Sequence, residues 1–118
     1  MEKENIVATK SYAFALRIIK FYQSMKAKNE FDIGRQLLRS GTSIGANVQE
    51  AIGGQSRKDF HAKISISYKE ARETAYWLRL VKDSEILPAE DCDPMIADID
   101  ELVRILGSIK KTTSTGLK

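Results

Sequence analysis

Two sets of polar side chains in this sequence could do chemistry. In the first, Arg39, Ser43, Asn47 and Glu50 recur every three or four residues, and Glu70 and Glu73 stand three apart further on. On a helix such spacings put side chains on one face. Glu73 falls between Ile66, Trp77 and Leu80. A carboxylate in that setting must be paired or hydrogen-bonded, because burying it alone is expensive. Arg39 and Asn47 are the expected donors to Glu50 or Glu73. The favoured reading is a polar network, Arg39, Ser43, Asn47, Glu50 and Glu73, that fixes register and assembly; a ligand site is the alternative. The second set is basic: Arg17, Lys20, Lys28, Arg57, Lys58, Lys63, Lys69 and Arg72. Cations of this kind make phosphate contacts that depend on shape and salt rather than on base sequence. The competing reading is that these lysines solubilise helix ends.

Catalytic arrangements find little support. His61 is the only histidine, so a zinc site has no second histidine or paired cysteine. Cys92 is the only cysteine and sits between Asp91 and Asp93, which disfavour a thiolate. The Glu-x-x-His motifs of helical di-metal sites are missing. Gly53-Gly54-Gln55 lacks the glycine spacing and the lysine of a phosphate-binding loop. No catalytic residue, cofactor or metal is expected, and the chain is read as a non-enzyme.

The 118 residues suit one domain, 1–118, with a core over about 9–111 and a frayed tail over 112–118. A hydrophobic content of 42% argues for a folded protein. No signal peptide or membrane-length apolar run is evident, so the expectation is a soluble cytoplasmic protein without a membrane partner. The net charge of +3 is small but unevenly placed. Residues 1–83 carry 15 basic and 9 acidic side chains, whereas residues 84–109 carry one basic and seven acidic. Such bipolarity can steer a polyanion, make subunits complementary to one another, or be an ordinary solvated surface.

Helical periodicity accounts for most of the chain. The first helix is expected over about Ser11 to Lys28, with apolar residues over roughly 200° of its circumference and a narrow wet strip of Arg17, Lys20, Ser24 and Lys28. That surplus points to a second buried surface, most simply in another subunit. The second helix is expected from an Asp32 N-cap to Gly53-Gly54, on a stripe of Ile33, Leu37, Ile44, Val48 and Ala51. Its middle, Ser40 to Asn47, is rich in poor helix formers, with each glycine costing about 1 kcal/mol against alanine. The apolar period nevertheless continues in phase. Gly34, Gly41 and Gly45 share one side, where a neighbouring helix could approach closely. Ser56 and Asp59 read as a capping box for a third helix, about Arg57 to Asp83. A fourth runs from Pro88 or Ala89 to Lys111, with Pro94 as a possible false start that delays the regular helix to about Asp93. Short joints between long helices predict an all-α, antiparallel up-down-up-down four-helix bundle.

The block Gln36-Leu37-Leu38-Arg39-Ser40-Gly41-Thr42-Ser43-Ile44-Gly45-Ala46-Asn47-Val48-Gln49-Glu50-Ala51 closely resembles the signature of the 23S ribosomal RNA intervening-sequence proteins. Lys58-Asp59-Phe60, the stretch from Lys69 to Leu78 and Ser11-Tyr12-Ala13-Phe14-Ala15 extend the likeness over about residues 9–110. Arg39, Ser43, Asn47, Glu50 and Glu73 match positions characteristic of that family, and Gln49 is a mild departure. The resemblance implies a four-helix bundle assembled as a homopentamer. The family is more distantly similar to the accessory protein of diversity-generating retroelements, which implies association with RNA or a ribonucleoprotein. Two functions are therefore expected: a non-catalytic oligomer bound to nucleic acid through a basic surface, or an oligomeric scaffold that binds protein alone.

Overall fold

A computed structural model describes the backbone of residues 2–115 and the side chains of residues 6–115. Four α-helices follow one another: α1 (Glu2–Ala27), α2 (Phe31–Ile52), α3 (Arg57–Asp83) and α4 (Ala89–Ser114). Each packs against its neighbours in the order α1, α2, α3, α4 and back to α1, and the diagonal pairs do not meet. The result is an all-α, up-and-down bundle of 47 × 23 × 20 Å. Its core runs the length of the bundle, from Val7, Ile109 and Ile64 through Phe14, Ile44, Leu102 and Ile18 to Met25, Leu78 and Cys92. Each large side chain fully buried there is worth roughly 1.5–3 kcal/mol.

Small residues set the α1/α2 spacing. Gly34 lies under Tyr22 and Met25, Gly41 under Ile18, and Gly45 against the backbone of Ser11. The helix expected through Ser40–Asn47 is unbroken. Close packing against α1 offsets the intrinsic cost of its glycines. Between α2 and α3, buried hydroxyls replace apolar contacts. The Ser67 hydroxyl donates to the Ile44 carbonyl at 2.8 Å. Thr74 Oγ1 lies 2.8 Å from both Ser40 Oγ and the Glu70 carbonyl. A carbonyl can only accept, so Thr74 donates to it and receives the Ser40 proton.

Several boundaries differ from the sequence reading. α1 begins at Glu2 rather than near Ser11, and buries Val7 and Ser11 on the same side as Phe14. α2 starts at Phe31. The expected cap, Asp32, lies in its first turn and pairs with Arg35 at 3.2 Å, while Glu30 occupies the cap position without a side-chain bond. The α2 stop is correct but works differently from a left-handed glycine cap, since Gly53 has φ −82°. The neighbouring Gly54 is needed for space: a Cβ there would meet the Ala51 carbonyl at 3.1 Å and Asp59 Cβ at 3.3 Å. The serine half of the α3 capping box is present, with Ser56 Oγ accepting from the Asp59 N–H at 3.0 Å.

The left-handed positions are instead Asn29 (φ 61°) and Glu85 (φ 62°). Each ends a helix, and the next N–H returns to the carbonyl five residues back, Glu30 to Met25 and Ile86 to Val81. Pro94 is not a false start. The Asp91 and Cys92 amides already bond to the Pro88 carbonyl, and Pro94 sits exposed in the second turn of α4. There the carbonyl left without a donor can turn to water. The tail expected from Thr112 is helical to Ser114. Arg57 donates to the Thr112 carbonyl at 3.1 Å and His61 Nδ1 meets Thr113 Oγ1 at 2.8 Å, tying that end of α4 to α3. The remainder, 116–118, lies outside the described residues.

Candidate nucleic-acid interface and the polar face of α2 and α3

The eight basic candidates do not share one face, because α1 and α3 stand on a diagonal of the bundle. Arg17 is tied to Asp98 at 2.8 Å across the α1/α4 seam, where Lys10 also meets Glu101 at 3.1 Å. Lys63 reaches Glu50 at 2.6 Å across the α2/α3 seam. Arg57 caps the C-terminal turn of α4. Lys20 is exposed on α1 and Lys28 in the turn after it, whereas Lys58, Lys69 and Arg72 are exposed along the outer strip of α3. Exposed ion pairs contribute little stability, yet each one partly neutralises a cation that a polyanion would otherwise meet.

The structure gathers one group that periodicity did not pick out. Tyr68 leans from α3 onto α4, where the absence of a side chain at Gly107 makes room; a Cβ there would lie 3.2 Å from the ring. Arg72 and Lys110 both stand over that ring, at 5.9 and 5.1 Å from its centroid. Cations over an aromatic face are attracted by its quadrupole. Arg72 is a four-residue neighbour of Tyr68 and was visible as such in the sequence. Lys110 lies 42 positions away, and only the α3/α4 packing brings it in.

The polar set on α2 and α3 lies on an outward-facing strip rather than in the sealed network expected. The donors assigned to Glu50 and Glu73 are directed elsewhere in the single chain. Arg39 donates to Gln36 Oε1 at 3.0 Å, and Asn47 to the Ser43 carbonyl at 2.9 Å. The Ser43 hydroxyl donates to the Arg39 carbonyl at 2.7 Å. Glu50 pairs with Lys63. Glu73 accepts from Trp77 Nε1 at 3.3 Å. All five members are exposed or half-buried. Glu70 is the member the sequence underrated. Its Oε1 is buried without a hydrogen-bond partner among the described residues. Burial, and then the adjacent Glu73 charge, push the Glu70 carboxyl above the ordinary glutamate range, against the pull of Arg39.

Elsewhere the titratable groups are structural in their surroundings. Cys92 is fully buried, and burial followed by the charges of Asp91 and Asp93 raises its thiol pKa, the opposite of what a nucleophile needs. His61 links α3 to α4 through Thr113. No cluster of three or more His, Cys, Asp or Glu able to hold a metal occurs among the described residues. No described helix is long and apolar enough to cross a membrane.

Comparison with known proteins agrees with the bundle and with the central signature. The family described as 23S rRNA-intervening sequence protein matches residues 3–108. A crystal structure from Bacteroides thetaiotaomicron, of a protein of unknown function from the S23 ribosomal protein family, superposes with a TM-score of 0.88 at 44% identity. The match covers 92% of this chain and 98% of that one. No curated protein matched the sequence. With nearly its whole length matched by the family and its fold shared with a 44% identical relative, the chain belongs to the 23S rRNA-intervening sequence protein family.

Proposed function

We propose that this protein is a non-enzymatic, homo-oligomeric helix bundle that associates with RNA or a ribonucleoprotein through the α3/α4 face. The observation that carries this reading is the Tyr68 ring with Arg72 and Lys110 standing over it. Lys69 and Arg72 continue the basic character along α3, and Lys58 and Lys111 extend it to the end of the bundle. A few phosphate contacts from one such face bind weakly. Repetition around a homopentamer, the assembly that the family resemblance implies, would multiply them through effective concentration. The chemistry is phosphate neutralisation by cations that the Tyr68 ring holds in place.

The test is fluorescence anisotropy with a structured ribosomal RNA fragment and an unrelated RNA at low and moderate salt. Expected is binding that weakens steeply as salt rises, with a slope that falls by about 1 for each phosphate-contacting cation removed, as in Arg72→Gln and Lys110→Gln. Absence of binding at low salt by the assembled protein would favour the second reading, a scaffold that docks protein alone. That reading has its own support: Arg17, Lys63 and Lys10 are already paired with acidic residues of the same chain, which leaves fewer cations for a polyanion.

A further inference from the structure

The cations of the α3/α4 face stand in two rows, one on each helix. Lys58, Lys69 and Arg72 are exposed along α3, and Arg104 and Lys111 along α4, with Lys110 half-buried between the rows at Tyr68. None of the six forms an ion pair among the described residues, unlike Lys10, Arg17, Lys63 and Lys82. From Arg104 to Thr115, α4 contains no acidic residue. Between Lys58 and Arg72, α3 contains only Asp59, whose Cβ lies beside Gly54, and Glu70, which feels Arg39 of α2. At about 1.5 Å per residue the α3 row is about 21 Å long and the α4 row about 10 Å, and packed helices set such rows roughly 8–10 Å apart. Beyond Arg72 the face is mixed. Arg79 is exposed there, but so are Asp83, Asp93 and Asp100, and Lys82 is taken by Asp93 at 2.7 Å.

Unpaired bases stack on exposed ring faces, so a surface built for a single strand shows aromatic rings among its cations. Among the described residues, the basic part of this face offers none. Tyr68 is half-buried against Gly107, and Arg72 and Lys110 stand over its ring at 5.9 and 5.1 Å. The same ring occupies the seam between the helices, where a splayed base would otherwise enter. The next exposed ring on α3, Tyr76, meets Trp77 edge-on at 5.3 Å, and the indole N–H donates to Glu73. A strand stacked on Tyr76 would carry its phosphates past that carboxylate.

We infer that the ligand of the α3/α4 face is the sugar-phosphate backbone of a base-paired RNA stem, held across both cation rows, rather than an unpaired strand. A stem packs about twice the phosphate charge of one strand into each unit of length. Its two backbones can meet two rows at once, whereas one strand would leave a row unused. Double-helical RNA is recognised mostly through shape and backbone contacts, which asks for cations and for no stacking ring. This inference rests on the proposed association with RNA and names the form of RNA that the same face takes.

The experiment is fluorescence anisotropy of the full chain with a short blunt-ended RNA duplex and with each of its strands alone, the strands chosen not to fold. Expected is duplex binding at least about tenfold tighter than that of either strand at the same salt, given the doubled charge density. A second arm compares Lys69→Gln with Arg72→Gln on α3 against Arg104→Gln with Lys111→Gln on α4. Each double variant should weaken duplex binding and reduce the slope of log affinity against log salt by about 2. All four side chains are exposed, so helix content by circular dichroism and sedimentation mass should match the unaltered protein. If Arg72→Gln disturbs the Tyr68 contact and lowers helix content, Lys58→Gln takes its place. Either strand binding as tightly as the duplex would overturn the inference and leave association with RNA standing. A salt slope unmoved by the α4 changes would overturn it too, since that is the behaviour of a strand lying along α3 alone. Failure of duplex and strands alike at low salt would remove the proposed association together with this inference.

Discussion

Gly41 of α2 lies beneath Ile18 of α1 so closely that a Cβ at position 41 would stand 2.7 Å from Ile18 Cγ1. Ile18 is fully buried and branched at Cβ, so it has little freedom to withdraw. Alanine at 41 gains about 1 kcal/mol of helix propensity. Overpacking costs about 1–3 kcal/mol, and here the clash is with the stiff end of the side chain. Gly41→Ala should therefore lower the melting temperature. In an Ile18→Ala background, which itself costs about 2–5 kcal/mol, the same change should become neutral or stabilising. A thermal double-mutant cycle with no coupling would refute close packing as the reason for this glycine.

The Ser40–Thr74 pair makes a second prediction. Thr74→Val leaves the buried Ser40 hydroxyl without its acceptor, at a cost of about 1 kcal/mol or more. The Glu70 carbonyl keeps its backbone helix bond, so it is not stranded. Removing both hydroxyls, as Ser40→Ala with Thr74→Val, should recover part of the loss. Urea midpoints of the two single variants and the double variant measure this directly.

Glu85 ends α3 in a left-handed conformation that costs an ordinary residue roughly 1–2 kcal/mol. Glu85→Gly should raise stability by about 1 kcal/mol. Asn29→Gly, at the matching turn after α1, should gain less, because asparagine tolerates that region better. Equal gains at the two sites would show that something other than backbone strain is being read.

The raised Glu70 pKa sets a pH dependence of stability. The unfolded chain ionises near the ordinary value of 4.5, whereas the folded chain holds the Glu70 proton to higher pH. Between those two values the folded state binds more protons, so this group's contribution to stability falls as pH rises through the window. The penalty is complete above the folded pKa and absent below the unfolded one. Glu70→Gln should raise the melting temperature at neutral pH and lose that advantage on acidification below the ordinary glutamate range. A pH-independent difference would mean that Glu70 is not held protonated by the fold.

Periodicity located four helices and most of their inward faces. Apolar spacing of about 3.6 residues is a local property, and so are the Ser56 cap and the Gly53-Gly54 stop. Continuity through Ser40–Asn47 was legible for the same reason, although propensity opposed it. The first turns of α1 were missed because Glu2 to Asn5 are polar and only Val7 buries a large apolar side chain before Phe14. Surplus apolar surface on α1 was visible as well, because the circumference left over from one core can be counted along a helix.

What only tertiary structure decided is who meets whom across the seams. Arg39 and Asn47 share a face with Glu50, yet their bonds go to Gln36 and to the Ser43 carbonyl, and Lys63 on α3 takes Glu50. Spacing places a side chain on a face but does not choose among donors brought by another helix. Lys110 joins Arg72 at Tyr68 for the same reason, since α3/α4 register and the gap at Gly107 come from packing. The basic residues of α1 and α3 likewise separate because those helices end on a diagonal. Helix faces follow from local period, whereas the pairing of faces depends on how four cylinders share one core.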